Sequence, residues 1–561
     1  MASTISIGKQ DFLYLRENGY FYIDKSDFIR QWWDSADDIT LITRPRRFGK
    51  TLNMSMLNYF FSNQYKDRGD IFSGLKVWQS EKYRKIQGTY PVIFISFADV
   101  KQSNYSDAIQ KVKKIIADVY RQHRYLADSA DLTENERRKI IDIDDKVDDV
   151  TAQDSLKDLS YFLNKYYGEK VIILLDEYDT PMQEAYIHGY WDQFVNFMRG
   201  LFNATFKTNP YLERAMMTGI TRVSKESVFS DLNNLVVITT TSEQYAECFG
   251  FTEKEVFDSL ESFGMSEQKD VVKQWYDGFT FGSIKDIYNP WSITNFLKGK
   301  KLKPYWALTS SNGMISKLIQ RASAQIKTFM EGLVNGEEIV VSFDEQIVFN
   351  RLDSDENAIW SLLLASGYLK VEEIEYRGIT LEPWYHLSIT NLETISMFSS
   401  LFQGWFMDVS SNYNEFVKAL FVGDLKAMNT YMNDVALSTF SSFDTGNHPS
   451  ERSQPERFYH GFVLGLLVDV RDSYEVRSNK ESGFGRYDVV LIPRQSGKDA
   501  IIIEFKVFDE SEEESLEKTV LNAHKQIEDK NYDVDLMERG IAKENIRHYG
   551  FAFRGKKVLI G

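Results

Sequence analysis

Gly49, Lys50 and Thr51 stand in the stretch ITRPRRFGKTLNMSML, between an apolar run and a helix-forming run. A Gly-Lys-Thr triplet in that position can hold a polyphosphate, because main-chain N–H groups wrap phosphates at a helix N-terminus, where the helix dipole also favours negative charge. The N–H groups of Arg47, Phe48, Gly49, Lys50, Thr51 and Leu52 would form the cradle. The Lys50 ammonium would reach the terminal phosphates and the Thr51 hydroxyl would ligate Mg2+. Arg44 occupies the place of the opening glycine of GxxxxGK(S/T), and Pro45 fixes φ beside it, so the turn cannot be the ordinary one. Taken alone, the triplet does not decide between a nucleotide site and a chance match.

A second stretch, VIILLDEYD, is an apolar strand that delivers Asp176 and Glu177 at its C-terminal end, where open α/β sheets place their ligands. Asp176 would hold Mg2+ through water, and Glu177 would polarise an attacking water. A third, RAMMTGITRVSKESVFSDLNN, ends a strand in Thr218, with Arg222 and Lys225 just beyond. Thr218 there can sense a γ-phosphate and Arg222 can stabilise a transferring phosphoryl group, although Arg222 and Lys225 in surface ion pairs would read the same way.

Near the C-terminus, GRYDVVLIPRQSGKDAIIIEFKVF reads as a β-hairpin with strands from Tyr487 and from Ala500. A turn centred between Ser496 and Gly497 sets Asp488 across from about Phe505, with an error of one or two residues. Glu504 and Lys506 share one face, and the register decides whether Asp488 joins them. Two carboxylates and an ammonium on an otherwise apolar strand are costly unless they bind something, and a hard divalent cation with a phosphate oxygen fits them. Lys506 would orient or deprotonate a water and neutralise charge on the phosphate, which is phosphodiester hydrolysis. An exposed cross-strand ion pair is the alternative.

These residues need frames to hold them. Over the first ~240 residues the apolar runs ITLIT, PVIFISF, VIILLDE, RAMMTGI and NLVVITT alternate with helix-like segments, the pattern of a doubly wound α/β fold with a parallel sheet. From about Thr252 the signals turn helical and aromatic, with WYDGFTFG and YNPWS expected as ordered loops. A helix ending in LLLASGYL, a hairpin-like VEEIEYRGITLEPWYHLSI and a helix ETISMFSSLFQGWF suggest a winged-helix-like module. The polar stretch SSFDTGNHPSERSQPE is the best linker candidate, and DESEEESLE reads as a solvated helix face.

Composition bounds the rest. A chain of 561 residues exceeds one hydrophobic core, so several domains are expected. With 43% apolar and 26% charged residues the whole chain can fold. The net charge of −16 repels polyanions in bulk, so nucleic acid would have to be met by a local groove. The single cysteine, Cys248, excludes an internal disulfide framework, and no apolar stretch is long enough to span a bilayer; a cytoplasmic location with no membrane partner is the expectation.

The run YFYIDKSDFI, RPRRFGKT, LLDEYD, TGITRVSKESVFSDLNNL, YDGFTFG and YNPWS resembles the AAA-ATPase-like family of bacterial proteins, over roughly residues 5 to 300. The RPRRFGK(S/T) loop is usual in that family, so the resemblance implies that Arg44 is a family trait and that the site takes ATP. Asp488, Glu504, Phe505 and Lys506 resemble the core of the PD-(D/E)XK nuclease superfamily, over about residues 450 to 561. That likeness implies Glu456 as a further metal ligand on the first helix, with His460 one turn on, and Gln526 and Tyr532 as the Q…Y element of RecB-like members. Tyr487 stands where the proline of the superfamily name belongs.

The resulting expectation is an AAA-like P-loop ATPase domain over 1–245, a helical lid-like subdomain over 246–335, a winged-helix-like module over 336–410, a helical linker over 411–450 and an α/β restriction-endonuclease-like domain over 451–561. ATP and Mg2+, or Mn2+ at the C-terminal site, are the expected cofactors, and DNA the expected substrate. ATP turnover would control cleavage, in defence against foreign DNA or in a mobile element, and relatives that form rings suggest a homo-oligomer. The competing expectation is a nucleotide-dependent switch or scaffold that binds a protein partner and keeps an inactive nuclease fold.

Overall fold

The structure, a computed structural model, describes residues 3–222, 228–229, 232–307, 315, 318–319, 322, 324–334, 336–345, 355–398, 413–439, 463, 473–482, 485–495, 498–509, 513–555 and 557–561. They divide into two compact units, Met1–Met314 with Val340–Thr394, and Ile315–Ile339 with Ile395–Gly561.

The first unit is built on a five-stranded sheet. Its strands are β1 (Ile39–Thr43), β2 (Val92–Ser96), β3 (Val171–Asp176), β4 (Leu212–Gly219) and β5 (Leu235–Ile238), in the order β2-β3-β4-β1-β5. Every pairing is parallel. β1 and β3 are buried at every position, as their unbroken apolar runs require. The connections carry helices: α1 (Lys50–Phe61) follows β1, α2 (Tyr105–Gln122) follows β2, and α3 (Asp149–Tyr167) leads into β3. α2 buries Ala108, Ile109, Val112 and Ile116, spaced for one helical face, and starts where the Asn104 side chain accepts the Asp107 N–H. α3 starts on the Asp148 side chain and ends at Gly168, whose φ of 74° is the left-handed value a helix stop favours. α4 (Trp191–Phe202) lies between β3 and β4 in chain order. The doubly wound expectation holds, and the order sets β4 between β1 and β3.

Beyond β5, the stretches expected as loops supply strands. β6 (Phe251–Thr252), β7 (Phe279–Phe281) and β8 (Ile284–Tyr288) form a small sheet in the order β6-β8-β7, and the FTF of YDGFTFG is β7. Strands of two, three and five residues are too short to show a period against the helices around them. In YNPWS, Asn289 caps α5 (Pro290–Gly299) by accepting the Trp291 and Ser292 N–H groups, with Pro290 in the first turn. A third sheet joins β9 (Ile339–Val341) to a hairpin: α6 (Ala358–Ala365) is followed by β10 (Leu369–Arg377) and β11 (Glu382–Ile389), in the order β10-β11-β9.

In the second unit α7 (Tyr413–Val422) and α8 (Leu425–Thr439) precede a five-stranded sheet of β12 (Tyr474–Ser482), β13 (Gly485–Pro493), β14 (Ala500–Val507), β15 (Ile546–Arg554) and β16 (Lys557–Ile560), ordered as numbered. β14 and β15 are parallel, joined by a crossover containing α9 (Leu516–Asp529), and the other pairs are antiparallel. Alternation sorts the side chains. Val489, Leu491, Ile501, Ile503 and Phe505 pack with Phe416, Leu420, Met428 and Met432 of α7 and α8. Val490, Ile492, Ala500 and Ile502 pack with Ile527 of α9 and with Tyr532 and Leu536. The edge strand β16 is sealed by α8: Asn429 exchanges two hydrogen bonds with the main chain of Ile560, and Asn433 two with that of Val558. Such pairs occupy the N–H and C=O groups that an open edge would offer to another strand.

Candidate functional site

The first cluster lies at the C-terminal ends of β1, β3 and β4. Register places Thr218 beside Ile42 and Met217 beside Leu175, so the chain reversals after these strands stand level. Asp176, 1% exposed, accepts from the Thr51 hydroxyl through Oδ2 at 2.8 Å and from the Thr218 hydroxyl through Oδ1 at 2.6 Å. Burial, then the neighbouring Glu177 carboxylate, pushes the Asp176 carboxyl above its ordinary value, while the two hydroxyls pull it back. A divalent cation would relieve that imbalance, and a hydroxyl beside a carboxylate is a donor set that suits Mg2+.

Gly49 takes φ of 83° as it caps α1, and Arg47 takes 68°. A left-handed backbone at Arg47, which has a Cβ, is stored strain of a kind that concentrates at functional sites. The Lys50 ammonium donates to the main-chain oxygens of Arg44 and Pro45 at 3.0 and 3.1 Å and stands 3.8 Å from Glu177 Oε1. Glu177 has φ of 54°, a second strained position directly after β3. Main chain from residues 47 to 52, Lys50, Thr51, Asp176, Glu177 and Thr218 are therefore brought to one place. Arg222 is half-buried at the start of the next loop, and Lys225 lies outside the described residues.

Arg44 is wholly buried, and its work differs from that of a glycine. Its guanidinium donates to the carbonyls of Thr43 at 2.9 Å and Thr239 at 2.6 Å and lies 4.5 Å from the centre of the Phe281 ring. Burial pushes it down to about 9, so it stays charged at neutral pH. The rest of RPRRF faces the small sheet and α5. Arg47 stacks on Trp291 at 4.4 Å, Asn289 donates to the Arg46 carbonyl, and Phe48 meets Phe279 and Phe281 edge-on. The sequence showed that the turn was irregular but gave no sign of what it grips.

Asp179, also missed, anchors the turn after β4. Its Oδ2 accepts from the N–H groups of Ile220 and Thr221 and from the Thr221 hydroxyl, while Tyr178 donates to the Thr221 carbonyl. A Cβ at Gly219 would come within 2.7 Å of Asp179 Oδ1, so only glycine admits that approach. Three donors on one oxygen fix the segment that carries Thr218 and Arg222.

The second cluster lies on β13 and β14. Val489 pairs with Ile503, so Asp488 falls level with Glu504, one residue from the expected Phe505. That register puts Asp488, Glu504 and Lys506 on the face covered by α9. Asp488 Oδ2 accepts from the Phe505 N–H at 2.8 Å, and Lys506 Nζ stands 3.9 Å from Glu504 Oε1. Glu504 is 1% exposed and accepts from the Gln526 side-chain amide, which also reaches Tyr532 Oη at 3.3 Å. α9 can lie this close because Gly550 is the β15 neighbour of Glu504; a Cβ there would sit 3.0 Å from Ala523 Cβ. The two carboxylates, an ammonium and a neutral amide fit a hard cation with a phosphate. Glu456 and His460 lie outside the described residues.

Among the described residues, the group of three acids whose ligand oxygens lie within 4.8 Å of one another is Glu253, Asp277 and Asp286, in neither cluster. Lys273 lies against all three. No helix of the described residues is long and apolar enough to cross a membrane.

Comparison with known proteins finds a family match for each end of the chain. Residues 6–229 match the family described as predicted AAA-ATPase, and residues 454–561 match the PD-(D/E)XK nuclease superfamily. The chain is also similar to a protein described as an uncharacterized protein in the vnfD 5' region of Azotobacter chroococcum mcd 1, with 24% identity over 562 residues, 99% of this chain and 98% of the relative. That likeness runs through the middle of the chain as well as its two ends.

Proposed function

We propose that this chain, with an AAA-ATPase-like domain at its N-terminus and a PD-(D/E)XK nuclease superfamily domain at its C-terminus, binds and hydrolyses ATP in the first and cleaves DNA in the second, under nucleotide control. The observation that carries the reading is the Asp176 carboxylate, buried between the hydroxyls of Thr51 and Thr218 at the mouth of the phosphate loop.

Thr51 and Asp176 would hold Mg2+, which when bound supplies positive charge to the β and γ phosphates. The main-chain N–H groups of residues 47 to 52 orient the phosphates and Lys50 neutralises them. Glu177 accepts a proton from the attacking water, Thr218 holds the γ-phosphate oxygen between the two, and Arg222 stabilises charge in the transfer. In the second domain Asp488, Glu504 and Glu456 would hold Mg2+ or Mn2+. Lys506 orients the nucleophilic water there and Gln526 fixes the Glu504 carboxylate.

ATP turnover and DNA cleavage by the full chain test the assignment. Lys50→Ala and Glu177→Gln are expected to abolish phosphate release, and Lys506→Ala to abolish cleavage of single- or double-stranded DNA with Mg2+ or Mn2+. Turnover undiminished in both ATPase variants places that chemistry elsewhere, and cleavage that survives Lys506→Ala removes the nuclease assignment.

A further inference from the structure

Past β5 the chain turns through Thr239 to Ser242 and on to Gln244, and four hydrogen bonds of that segment connect the phosphate loop to the β9–β11 module. The Thr239 carbonyl accepts from Arg44 at 2.6 Å and the Gln244 carbonyl at 3.5 Å. The Thr239 hydroxyl donates to Glu345 at 2.9 Å, and the Thr241 hydroxyl donates to the same carboxylate at 2.8 Å. Glu345 follows β9, and it also receives the hydroxyl of Tyr385, on β11, at 3.1 Å. One residue, Thr239, thus holds Arg44 with its main chain and Glu345 with its side chain.

A second contact is independent of that relay. A Cβ on Gly367, just before β10, would come within 2.8 Å of Pro45 Cγ, so the module's backbone rests on the loop's proline. The far side of the loop is equally constrained, because the Arg44 and Pro45 carbonyls that Arg44's grip positions are the ones that hold Lys50. The Glu345 carboxylate gathers three hydroxyls, from Thr239, Thr241 and Tyr385. It defines where Thr239 and Thr241 sit.

We propose that Glu345 is a positioning residue for the phosphate loop, and that the β9–β11 module regulates nucleotide affinity through Glu345, Thr239 and Arg44. The inference rests on the ATP-site assignment above and adds its control. Coupling is reciprocal, so ATP bound at the loop must tighten the module's hold by the same factor that the module contributes to ATP affinity.

The test uses the full chain, a fluorescent ATP analogue for Kd, and phosphate release for KM and kcat. Glu345→Ala is expected to raise Kd and KM about five- to tenfold, the lower range of measured couplings, with kcat within about twofold. Glu345→Gln, which keeps an acceptor oxygen, is expected to restore most of that loss. Leu387→Ala, a buried apolar change on β11 that removes no hydrogen bond of the relay, is expected to lower Tm and leave Kd unchanged. ATP should also slow hydrogen exchange over residues 382–389 in the parent and not in Glu345→Ala. If Glu345→Ala does not fold, Thr239→Val removes one donor and should raise Kd about threefold. Parent binding with unchanged affinity in these variants, or an affinity loss matched by Leu387→Ala, overturns the inference alone. No binding by the parent overturns the ATP assignment, and this inference with it.

Discussion

Restoring the glycine that the phosphate loop lacks should damage the protein, and Arg44→Gly against Arg44→Met measures why. Both substitutions remove the same donors from the Thr43 and Thr239 carbonyls, worth ~1–3 kcal/mol each when left buried and unmet. Both also relieve the same buried charge: depression of the guanidinium from 12.5 to about 9 corresponds to a cost of ~5 kcal/mol. Those two contributions oppose each other and nearly cancel, so Arg44→Met should be close to neutral. Glycine additionally loses a buried stem of three methylenes at ~0.8 kcal/mol each. It adds ~0.5–1 kcal/mol of unfolded-state entropy. Arg44→Gly should therefore lie ~3 kcal/mol below Arg44→Met, a difference in which the electrostatic contributions drop out. Calorimetry of the full chain, following the transition that ATP shifts upward, should show a Tm gap of about 4 °C. A glycine variant as stable as the methionine variant, or one that binds ATP more tightly than the parent, refutes the account of Arg44 as a buried grip.

Three further outcomes follow from the packing. Gly278→Ala places a Cβ 1.9 Å from the Thr390 carbonyl at φ of 125°, and should lower the same transition by about 3 kcal/mol or more; unchanged Tm refutes the contact. Asn433→Ala breaks two hydrogen bonds that seal β16 and should cost ~2 kcal/mol in the C-terminal transition, with self-association rising in light scattering. Glu393, fully buried, is pushed by burial up to about 7 from 4.5, against donation from Ser292 and Trp306. The folded chain therefore keeps a proton that the unfolded chain releases, so its stability contribution is full below pH 4.5 and is lost as pH rises through about 7. Glu393→Gln should flatten the Tm against pH curve over that window, and identical slopes would refute it.

The parts of the fold legible in the sequence are those where one physical signal dominates. ITLIT and VIILLD are buried on both faces, and their strands begin where the apolar runs begin. The hairpin of β13 and β14 was readable from alternation, and only the register slipped by a residue, since turn length was inferred and not seen. The strands of the small sheet were not readable, because Phe279–Phe281 is an aromatic triplet whose strand character comes from pairing with Ile284–Tyr288. Among the candidate site residues, those proposed to do chemistry carry recognisable types: a lysine and threonine after glycine, paired acids at a strand end. Arg44, Asp179 and Glu345 act by holding main chain or hydroxyls far away in sequence. Nothing local marks a side chain whose partner is 195 residues on, as Thr239 is for Arg44.

Both clusters solve one problem in the same way, and that explains where each lies. Asp176 ends β3 and Glu504 stands near the end of β14, each in a strand buried between two neighbours and each 1% exposed. Burial of a carboxylate is unfavourable without partners, so each acid fixes the geometry around it: Thr51 and Thr218 for Asp176, Gln526 for Glu504. Among the described residues, these hydrogen-bond donors are neutral. A cationic partner would neutralise the carboxylate permanently, whereas hydroxyl and amide donors hold it in place and leave its charge for an incoming metal ion. Lys50 and Lys506 form looser ion pairs, at 3.8 Å with Glu177 and 3.9 Å with Glu504, that balance charge at each site. Replacing either partner by a cation tests this directly. Gln526→Lys should keep the fold of the C-terminal domain, tighten the Glu504 carboxylate and abolish Mn2+ binding measured by calorimetry, whereas retained Mn2+ affinity would mean that the charge of Glu504 is not what the site preserves.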